Sequence, residues 1–565
     1  MLSIRKIGVI GRTYRNLNRY SQILGILFKY GFGDLVETLK IDQYLEIGLQ
    51  MISRKKRDRV EKSTRAERIR MAFEELGPTY IKLGQILSTR PDLVPPDFVA
   101  ELAKLQDDVP PFPFHHARKI VEAELGKPLE DVFVSFDEKP LASASIGQVH
   151  RAELLDGDTV AVKVQRPGIK KIIEVDLEIM LHLATLAEKH IEEISFHRPV
   201  KIVEEFAKTL ERELDYGIES SSMERVAGQF LDAPHVYIPK VFQDTSSARV
   251  LTTEFIDGIK ISSVEQLESG DYDKKLITRR GADICLSQIF DHGFFHADPH
   301  PGNIFVLPDN VICLLDFGMV GTIERNTKES FVDLVDSIVR RDESLAAHQI
   351  LKLTSWEEEP DIRLFEKDVA DFMGRHLYNA LKEINLGKLL QELLELAAQH
   401  RLRIYPDIFL MMKALAAVEG IARYLDPDFD MVTQSAPFIA KVKLNRFSPE
   451  RLESDIVKLI TQSYQFIHKF PRDLLEITRL IRQQKLSFKH DLEGFDRMLS
   501  THDQISNRIS FSIVIAALII GSALIVISNT PPLFYGISLI GIIGFLAATV
   551  LGVWLLVAIL KKGSL

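Results

Sequence analysis

The residues with the clearest capacity for chemistry lie in the run HADPHPGN at 296–303, which a short hairpin pattern joins to Asp316-Phe317-Gly318. Asp298 and Asn303 are five residues apart, and Asp316 lies eighteen beyond Asp298. One carboxylate can orient or deprotonate a nucleophile, while an amide and a second carboxylate can hold Mg²⁺, which completes its octahedron from phosphates and water. We therefore predict phosphoryl transfer, with Asp298 catalytic and Asn303 and Asp316 as metal ligands.

Two other interpretations of this run remain open at this point. His296, Asp298 and His300 have side chains that suit a transition-metal site. That interpretation leaves Asn303 and the triplet at 316–318 unexplained. The other is a proline-rich turn with no chemical role.

Lys163 is the candidate cation for a nucleotide. In the strand pattern at 159–165, alternation places Ala161 and Lys163 on one face, with space for a flat base beside an ammonium that reaches a phosphate. Glu219, fifty-six residues further on in a helical pattern, can hold this lysine in place. The alternative is an ordinary surface lysine whose stem covers apolar neighbours.

A loop of small residues is the second candidate for nucleotide binding. Small side chains let backbone N–H groups approach phosphates. The loop has a single glycine, so its pattern is informative only together with the other motifs. The residues assigned to it are Leu141, Ala142, Ser143, Ala144, Ser145, Ile146, Gly147, Gln148 and Val149.

The elements that must position these residues form three regions. Helical patterns occupy 64–76, 79–88, 96–106 and 115–125, with strands predicted at 132–136, 144–154, 159–165, 236–242 and 249–256. Helical patterns cover 170–190 and 200–229 and dominate from 257 to about 499. We predict a helical extension over 64–130, a sheet-rich lobe over 131–258 and a helical lobe over 259–500.

The C-terminal end has the composition of a membrane anchor. No Asp, Glu, Lys, Arg or His occurs from Ile509 to Leu560, and two helices at 509–528 and 537–560 are each long enough to cross a bilayer. Two buried core helices are the alternative. Basic residues flank the hairpin outside its loop and place both ends in the cytoplasm by the positive-inside rule: Lys485, Lys489, Arg497, Arg508, Lys561 and Lys562. Small residues at 544, 548 and 552 suit close helix contact.

The N-terminal end, residues 1–63, is predicted to be a basic amphipathic segment on anionic lipid. Its first five charged residues are all basic, namely Arg5, Lys6, Arg12, Arg15 and Arg19. An organelle transit peptide is the alternative. A second cluster at 54–57 is either a further membrane contact or a solvated helix face.

The charge balance excludes a generally basic nucleic-acid binder. The net charge is −9, while residues 1–70 contain 16 Lys/Arg and 7 Asp/Glu, which leaves −18 for the remainder. The two cysteines, Cys285 and Cys313, cannot build a disulfide framework and indicate a reducing compartment. No nucleic-acid partner is expected.

Taken together, these motifs resemble the UbiB/AarF family of atypical, protein-kinase-like proteins over residues 60–330. Its markers are present as Lys82-Leu83-Gly84-Gln85, the loop at 142–148, Glu213-Leu214-Asp215 and the run at 296–303. The C-terminal hairpin is similar to that of bacterial UbiB proteins. The resemblance implies an α+β, two-lobed protein-kinase-like fold with an N-terminal helical extension and two transmembrane helices, together with binding of ATP and Mg²⁺.

The resemblance also implies roles for individual residues. Lys82 and Gln85 would pack over the nucleotide site and gate it, with Glu213 and Asp215 as partners of the lysine. Lys163 and Glu219 would form an ion pair, and Glu254 and Phe255 would mark the hinge that contacts adenine through backbone groups. From the residues alone, the preferred interpretation of Lys82 is an exposed helix lysine.

The function expected from the resemblance is that of a membrane-anchored atypical kinase or ATPase supporting ubiquinone biosynthesis at the inner membrane, with its catalytic domain in the cytoplasm. The expected partners are the membrane, isoprenoid or quinone lipid intermediates and quinone-biosynthesis enzymes. Ala297 replaces the arginine of ordinary kinases, and no Ala-Pro-Glu motif follows Gly318. A protein kinase acting in trans and a nucleotide-switched pseudokinase scaffold are the alternatives.

Overall fold

The computed structural model describes residues 17–38, 63–88, 94–105, 109–191, 198–356, 359–377, 386–482, 495–528, 530–534 and 537–562. It consists of two compact units, Met1–Glu453 and Ser454–Leu565. Several basic residues named above lie outside the described residues, namely Arg5, Lys6, Arg12, Arg15, the cluster at 54–57, Lys485 and Lys489.

Among the described residues, the helical extension contains six helices. They are α1 (Leu17–Lys29), α2 (Gly33–Thr38), α3 (Arg65–Leu76), α4 (Pro78–Ser88), α5 (Pro96–Leu102) and α6 (Phe114–Leu125). Thr64 and Glu67 form a reciprocal capping box at the start of α3. Gly126 ends α6 with φ 68°, a left-handed conformation that favours glycine.

Helix α1 differs from the membrane-lying segment predicted over 1–63. Its apolar side chains are buried within the protein, with Tyr20 0%, Ile23 1% and Leu24 2% exposed. Arg19 donates to both carboxylate oxygens of Asp176, at 2.7 and 2.9 Å, and Asp176 is fully buried. A helix whose apolar face is covered by protein does not offer that face to lipid.

Among its described residues, the sheet-rich lobe contains one antiparallel sheet and three helices. Its helices are α7 (Ile169–His190), α8 (Pro199–Glu213) and α9 (Tyr216–Gln229). The strands are β1 (Phe133–Phe136), β2 (Ala142–Ser143), β3 (Gly147–Leu154), β4 (Thr159–Gln165), β5 (Val236–Tyr237) and β6 (Val250–Glu254). The sheet order is β1-β3-β4-β6 with β2 beside β3, while β5 joins a different sheet. The single strand predicted over 144–154 therefore begins at Gly147, because residues 144–146 turn the chain from β2 into β3.

The helical pattern at 200–229 is two helices. Leu214 and Asp215 separate α8 from α9, and the Asp215 carboxylate accepts a hydrogen bond from the Gly217 N–H at the start of α9. Aspartate competes for backbone donors in this way and so favours helix starts over helix interiors. The break turns Glu213 and Glu219 into residues of different helices.

The second lobe contains short strands and eight helices within the described residues of the first unit. The strands are β7 (Ile259–Lys260), β8 (Phe294–His296), β9 (Ile304–Leu307), β10 (Val311–Leu314), β11 (Val320–Thr322), β12 (Thr354–Ser355) and β13 (Arg403–Ile404). The helices are α10 (Val264–Ser269), α11 (Lys274–Ser287), α12 (Arg325–Arg340), α13 (Glu343–Lys352), α14 (Ile362–Leu377), α15 (Leu386–Gln399), α16 (Pro406–Leu425) and α17 (Met431–Asn445). Sheets β5-β10-β9-β7 and β8-β11 hold the candidate catalytic segments.

The C-terminal elements are α18 (Pro449–Arg482), α19 (Phe495–Ile527), β14 (Leu533–Phe534), β15 (Ile537–Ser538) and α20 (Leu539–Lys562). Two stretches, Ile505–Ile527 and Leu539–Leu556, are long and apolar enough to cross a membrane. Gly544 lies against Ser522 of α19, and Ala548 is buried, whereas a side chain at Gly552 would meet nothing within 4 Å. Close contact thus involves the first two of the three predicted small residues.

Candidate active site

Lys163 is the centre of a partly buried charge network between the lobes. It lies on β4, and its Nζ is 2.9 Å from both carboxylate oxygens of Glu219 on α9 and 3.8 Å from Oδ1 of Asp316. Burial lowers the pKa of the Lys163 ammonium, but the carboxylates of Asp316 and Glu219 outweigh that effect and leave the pKa above its usual value. The lysine is therefore charged at neutral pH.

Asp316 is held in an uncommon backbone conformation. Its φ is 55°, and its Oδ1 accepts a hydrogen bond from the Gly318 N–H at 3.1 Å. The Lys163 ammonium holds the pKa of the Asp316 carboxyl well below its usual range. The result is an ionised, half-exposed carboxylate facing the cleft.

Backbone pairing brings the run at 296–303 beside Asp316. The Leu315 N–H donates to the Asn303 carbonyl at 2.8 Å, and the Ala297 N–H donates to the Met319 carbonyl at 3.0 Å. The His296 ring packs on Phe317, with centroids 5.2 Å apart. The 296–303 run and the 316–318 triplet are thus adjoining parts of one site.

The histidines of this run make local bonds. His296 Nδ1 accepts from the Asp298 N–H at 3.2 Å, and His300 Nδ1 accepts from the Gly302 N–H at 3.0 Å. Across the described ranges, no group of three or more His, Cys, Asp or Glu is arranged to hold a metal ion. The transition-metal interpretation of His296, Asp298 and His300 is therefore not supported.

The donors that remain suit Mg²⁺. Asp316 offers an ionised carboxylate, and Asn303, partly exposed on the adjoining loop, has no side-chain hydrogen bond recorded within the part of the chain that the structure describes. One carboxylate and one amide are a typical protein share for Mg²⁺, which takes its other oxygens from phosphates and water. Two hard oxygen donors beside a lysine fit a magnesium–nucleotide complex.

Asp298 has a partner that the sequence did not indicate. Lys413 of α16 places its Nζ 2.9 Å from Asp298 Oδ1, although the two residues are 115 positions apart. Burial raises the pKa of Asp298, but the Lys413 ammonium outweighs it and holds the pKa below its ordinary value. No local motif surrounds Lys413, so tertiary packing is its only signal.

The loop of small residues at 141–149 packs closely against the sheet and Arg166. Ser145 is 2% exposed, and Arg166 donates to the Ala144 carbonyl and to the Ser143 hydroxyl, at 3.2 and 3.0 Å. Gly147 lies so close to β4 that an added Cβ would be 2.8 Å from the Val164 carbonyl oxygen. Leu141 and Ala142 remain exposed at the loop's edge, while Ile146 packs against buried apolar residues.

Gln148 has its side chain on the other face of the sheet. It stands opposite Val164 across the β3–β4 pair, whereas Val149 stands opposite Lys163. The Gln148 side chain bonds to both the N–H and the carbonyl of Phe112, at 3.0 and 3.2 Å. Gln148 was predicted to bind nucleotide, but its side chain instead joins the helical extension to the sheet.

The predicted hinge residues use their N–H groups within the protein. The Glu254 N–H donates to the Lys240 carbonyl at 2.9 Å, and the Phe255 N–H donates to the Thr159 carbonyl at 3.0 Å. The Glu254 carboxylate accepts from the Tyr237 hydroxyl at 2.6 Å. A backbone donor to a base at this edge must come from a later residue, beginning with Ile256.

The predicted gating residues lie at the contact of the extension with α8. Lys82 Nζ is 3.1 Å from Oε1 of Glu213, and its charge contributes to the low pKa of Asp316. Gln85 donates to the Leu105 carbonyl at 3.3 Å, within the extension. Asp215 caps α9 through Gly217. Lys82 is thus near the charge network, while Gln85 and Asp215 make structural bonds.

Family comparisons cover most of the chain. The ABC1 atypical kinase-like domain matches residues 104–350, the UbiB helical domain matches residues 369–430, and the ABC1/UbiB kinase-like C-terminal domain matches residues 493–561. These matches, with the strands and helices described above, confirm the predicted two-lobed, kinase-like α+β fold class.

Individual proteins are similar over 62–97% of this chain. A protein described as uncharacterized, from the hydrogenase 1 5′ region of Clostridium pasteurianum, is 30% identical over 97% of this chain and 99% of its own length. The Aeromonas hydrophila protein named "Probable protein kinase UbiB" is 34% identical over 86% of this chain and 90% of its own. Its namesake in Aliivibrio salmonicida is 36% identical over 77% and 81%. A solved structure, the Rv3197–erythromycin complex from Mycobacterium tuberculosis, is 24% identical over 62% of this chain and 90% of its own, with a TM-score of 0.46.

Proposed function

The chain belongs to the ABC1/UbiB family of atypical kinase-like proteins, and on that basis we propose that it is a membrane-anchored kinase or ATPase that transfers the terminal phosphoryl group of ATP. Membership is consistent with ubiquinone biosynthesis. The observation that carries the proposal is the convergence of Lys163, Glu219 and Asp316 in one network beside Asp298 and Asn303. We infer that the cytoplasmic face of the inner membrane is its location and that an isoprenoid or quinone lipid intermediate is its substrate.

Each residue of the candidate site would have a separate role in phosphoryl transfer. Asp316 and Asn303 would hold Mg²⁺, whose charge neutralises phosphate oxygens. Lys163, kept charged and oriented by Glu219, would bind the nucleotide phosphates. Asp298 would orient the acceptor hydroxyl and take its proton, while Ile256 would offer the backbone N–H to adenine at the hinge of Glu254 and Phe255. The exposed edge of the loop at 141–149 would cover the phosphates, and movement of Lys82 with its helix would open the site.

A membrane setting is supported by three features. The two apolar stretches have the length of a bilayer crossing. Helix α18 has an apolar face that includes Ile456, Leu459, Ile460, Ile467 and Phe470, exposed by 49–66%. Its opposite face carries basic residues at 469 and 472. Such a helix is typical of a membrane surface.

The acceptor is proposed to be water or a lipid rather than a protein. After Gly318 the chain forms the short strand β11 and enters α12 at Arg325, so the segment on which kinases dock peptides is brief. The helical extension also contributes Lys82, which pairs with Glu213 near the charge network, and the family resemblance implies that this segment occupies the place of a peptide substrate.

The test is ATP turnover by the full chain in liposomes of phosphatidylethanolamine and phosphatidylglycerol, with and without a polyprenyl phenol. We expect magnesium-dependent release or transfer of phosphate that the lipid stimulates, with no labelling of added proteins. Asp298→Asn should lower the rate about 10²-fold or more. The control is Asp309→Asn, which changes an exposed carboxylate of the same lobe. The φ of Asp309 is 61°, a conformation that asparagine also accepts, and this variant should not change the rate.

Labelled protein acceptors, or an Asp298→Asn variant with full activity and normal cellular quinone levels, would contradict the proposal.

A further inference from the structure

Lys413 is fixed in the cleft by the packing of its helix. Its neighbours Met411 and Ala414 on α16 are both 0% exposed and belong to the core of the second lobe. The Lys413 side chain is itself 24% exposed, and its Nζ reaches Asp298 Oδ1 at 2.9 Å. Because these buried neighbours fix the rotation of α16, the Lys413 side chain leaves the helix on the side of Asp298.

The catalytic loop has no permanent cation of its own. The residues after Asp298 are Pro299, His300, Pro301 and Gly302, and His300 Nδ1 is occupied by the Gly302 N–H. Phosphoryl transfer places negative charge on the oxygens of the moving group, and enzymes of this chemistry meet that charge with Lys, Arg or metal cations. At Asp298 the cation of this kind comes from α16.

Lys163, Lys82 and Lys413 differ in how many carboxylate oxygens their ammonium groups contact. Lys163 contacts two oxygens of Glu219 and has Asp316 at 3.8 Å, and Lys82 pairs with Glu213. Lys413 has one recorded contact among the described residues, to a single oxygen of Asp298. An ammonium has three donors. Lys413 therefore has donors that a phosphate oxygen can use while the contact to Asp298 persists.

We propose that Lys413 is a catalytic residue that binds the transferring terminal phosphoryl group. This inference rests on the proposed function. In the step, a bond forms between the acceptor oxygen and phosphorus, the bond between phosphorus and the bridging oxygen of ADP breaks, and the acceptor proton moves to Asp298. Lys413 neutralises the oxygens of the moving group and keeps its charge throughout.

The experiment uses the full chain in nanodiscs and compares affinities for MgATP and MgADP, because only ATP carries the group that Lys413 would contact. Lys413→Met should weaken MgATP binding about tenfold or more, the size of a lost charge-assisted hydrogen bond, and change MgADP binding less than about twofold. Turnover should fall about 10²-fold or more. Lys413→Arg should retain the preference for ATP. Lys352→Met, which changes an exposed lysine at the end of α13, is the matched control and should leave all values unchanged.

A second neutral variant keeps the test valid if Lys413→Met does not fold. Lys413→Gln can still donate a hydrogen bond to Asp298 and should lose the ATP preference as Lys413→Met does. An unchanged ATP-to-ADP ratio in either neutral variant would overturn the proposal and leave Lys413 as a residue that only positions Asp298. Faster turnover in these variants would overturn it in favour of an inhibitory ion pair. Failure of the unaltered chain to bind any nucleotide would instead refute the proposed function, and this inference with it.

Discussion

The face of the sheet on which the Gln148 side chain lies decides whether it binds nucleotide or stabilises the fold. Its neighbours Gly147 and Val149 border the cleft side of β3, but alternation turns the Gln148 amide to the face shared with Val162 and Val164. There it satisfies both backbone groups of Phe112 and contacts His150 Nε2 at 2.8 Å. Burial of an unpaired backbone group is costly, so this amide stabilises the join between the extension and the sheet.

We expect Gln148→Met to lower the free energy of unfolding by about 1–3 kcal/mol, because two buried backbone groups lose their partner. The affinity for MgADP should stay within about twofold of the unaltered protein. Thermal unfolding of the full chain in detergent and nucleotide titration would measure the two effects. Lost nucleotide binding in a folded variant would show that the Gln148 side chain acts in the cleft.

Among the secondary-structure elements, the break between α8 and α9 places Glu213 and Glu219 on different helices, whereas the sequence pattern at 200–229 predicted a single helix. Helix α8 ends at Glu213, the partner of Lys82, and α9 begins after Asp215 and carries Glu219 to Lys163. The Asp215 carboxylate bonds to the Gly217 N–H at 3.0 Å. A cap at this point orients α9 and with it the glutamate that holds Lys163.

Asp215 substitutions separate the capping role from a charged gating role. Asp215→Ala should destabilise the protein by about 0.5–2 kcal/mol, while Asp215→Ser, which keeps a cap and removes the charge, should be close to the unaltered protein. Thermal unfolding and ATP turnover of both variants provide the measurement. If Asp215→Ser changes turnover as much as Asp215→Ala does, the carboxylate acts through its charge on Lys82.

Helix α1 is joined to the kinase-like unit by the pair Arg19–Asp176. Arg19→Met would leave Asp176, a fully buried carboxylate, without its cation, and we expect a loss of about 3–5 kcal/mol. The double variant Arg19→Met with Asp176→Leu should recover most of it, because no charge is then buried. Thermal unfolding and limited proteolysis of the full chain test this. An Arg19→Met variant that is as stable as the original would indicate that α1 is not docked in solution.

At the scale of the whole molecule, the charge is distributed unevenly along the chain. Residues 1–70 contribute +9 to a total of −9, and no charge occurs from Ile509 to Leu560. The remaining residues, 71–565, carry a net charge of −18, and within them the candidate site pairs Lys82, Lys163 and Lys413 with carboxylates. The apolar face of α18 and the two spans then place the proposed lipid contacts at the C-terminal end.

Labels on the two faces of α18 test its place at the membrane. Ile460 and Lys469 are nine residues apart, or two and a half turns, and so lie on opposite faces. In proteoliposomes, an environment-sensitive dye on Ile460→Cys should be quenched by brominated lipids, while the same dye on Lys469→Cys should be quenched by aqueous iodide. The two native cysteines are buried, which limits background labelling. Equal iodide quenching at both positions, or an Ile460→Cys dye protected from both quenchers, would contradict a lipid contact.

Local composition and short-range spacing were enough to predict the order of the lobes and the two long apolar stretches. The family comparisons confirm the fold class and the family. The proximity of Asn303 to Asp316 was also predictable, since one short hairpin joins their segments. Other features were not predictable. The Lys413–Asp298 contact, the direction of Gln148 and the burial of α1 depend on packing between elements that are distant in the chain, which no local sequence pattern reveals.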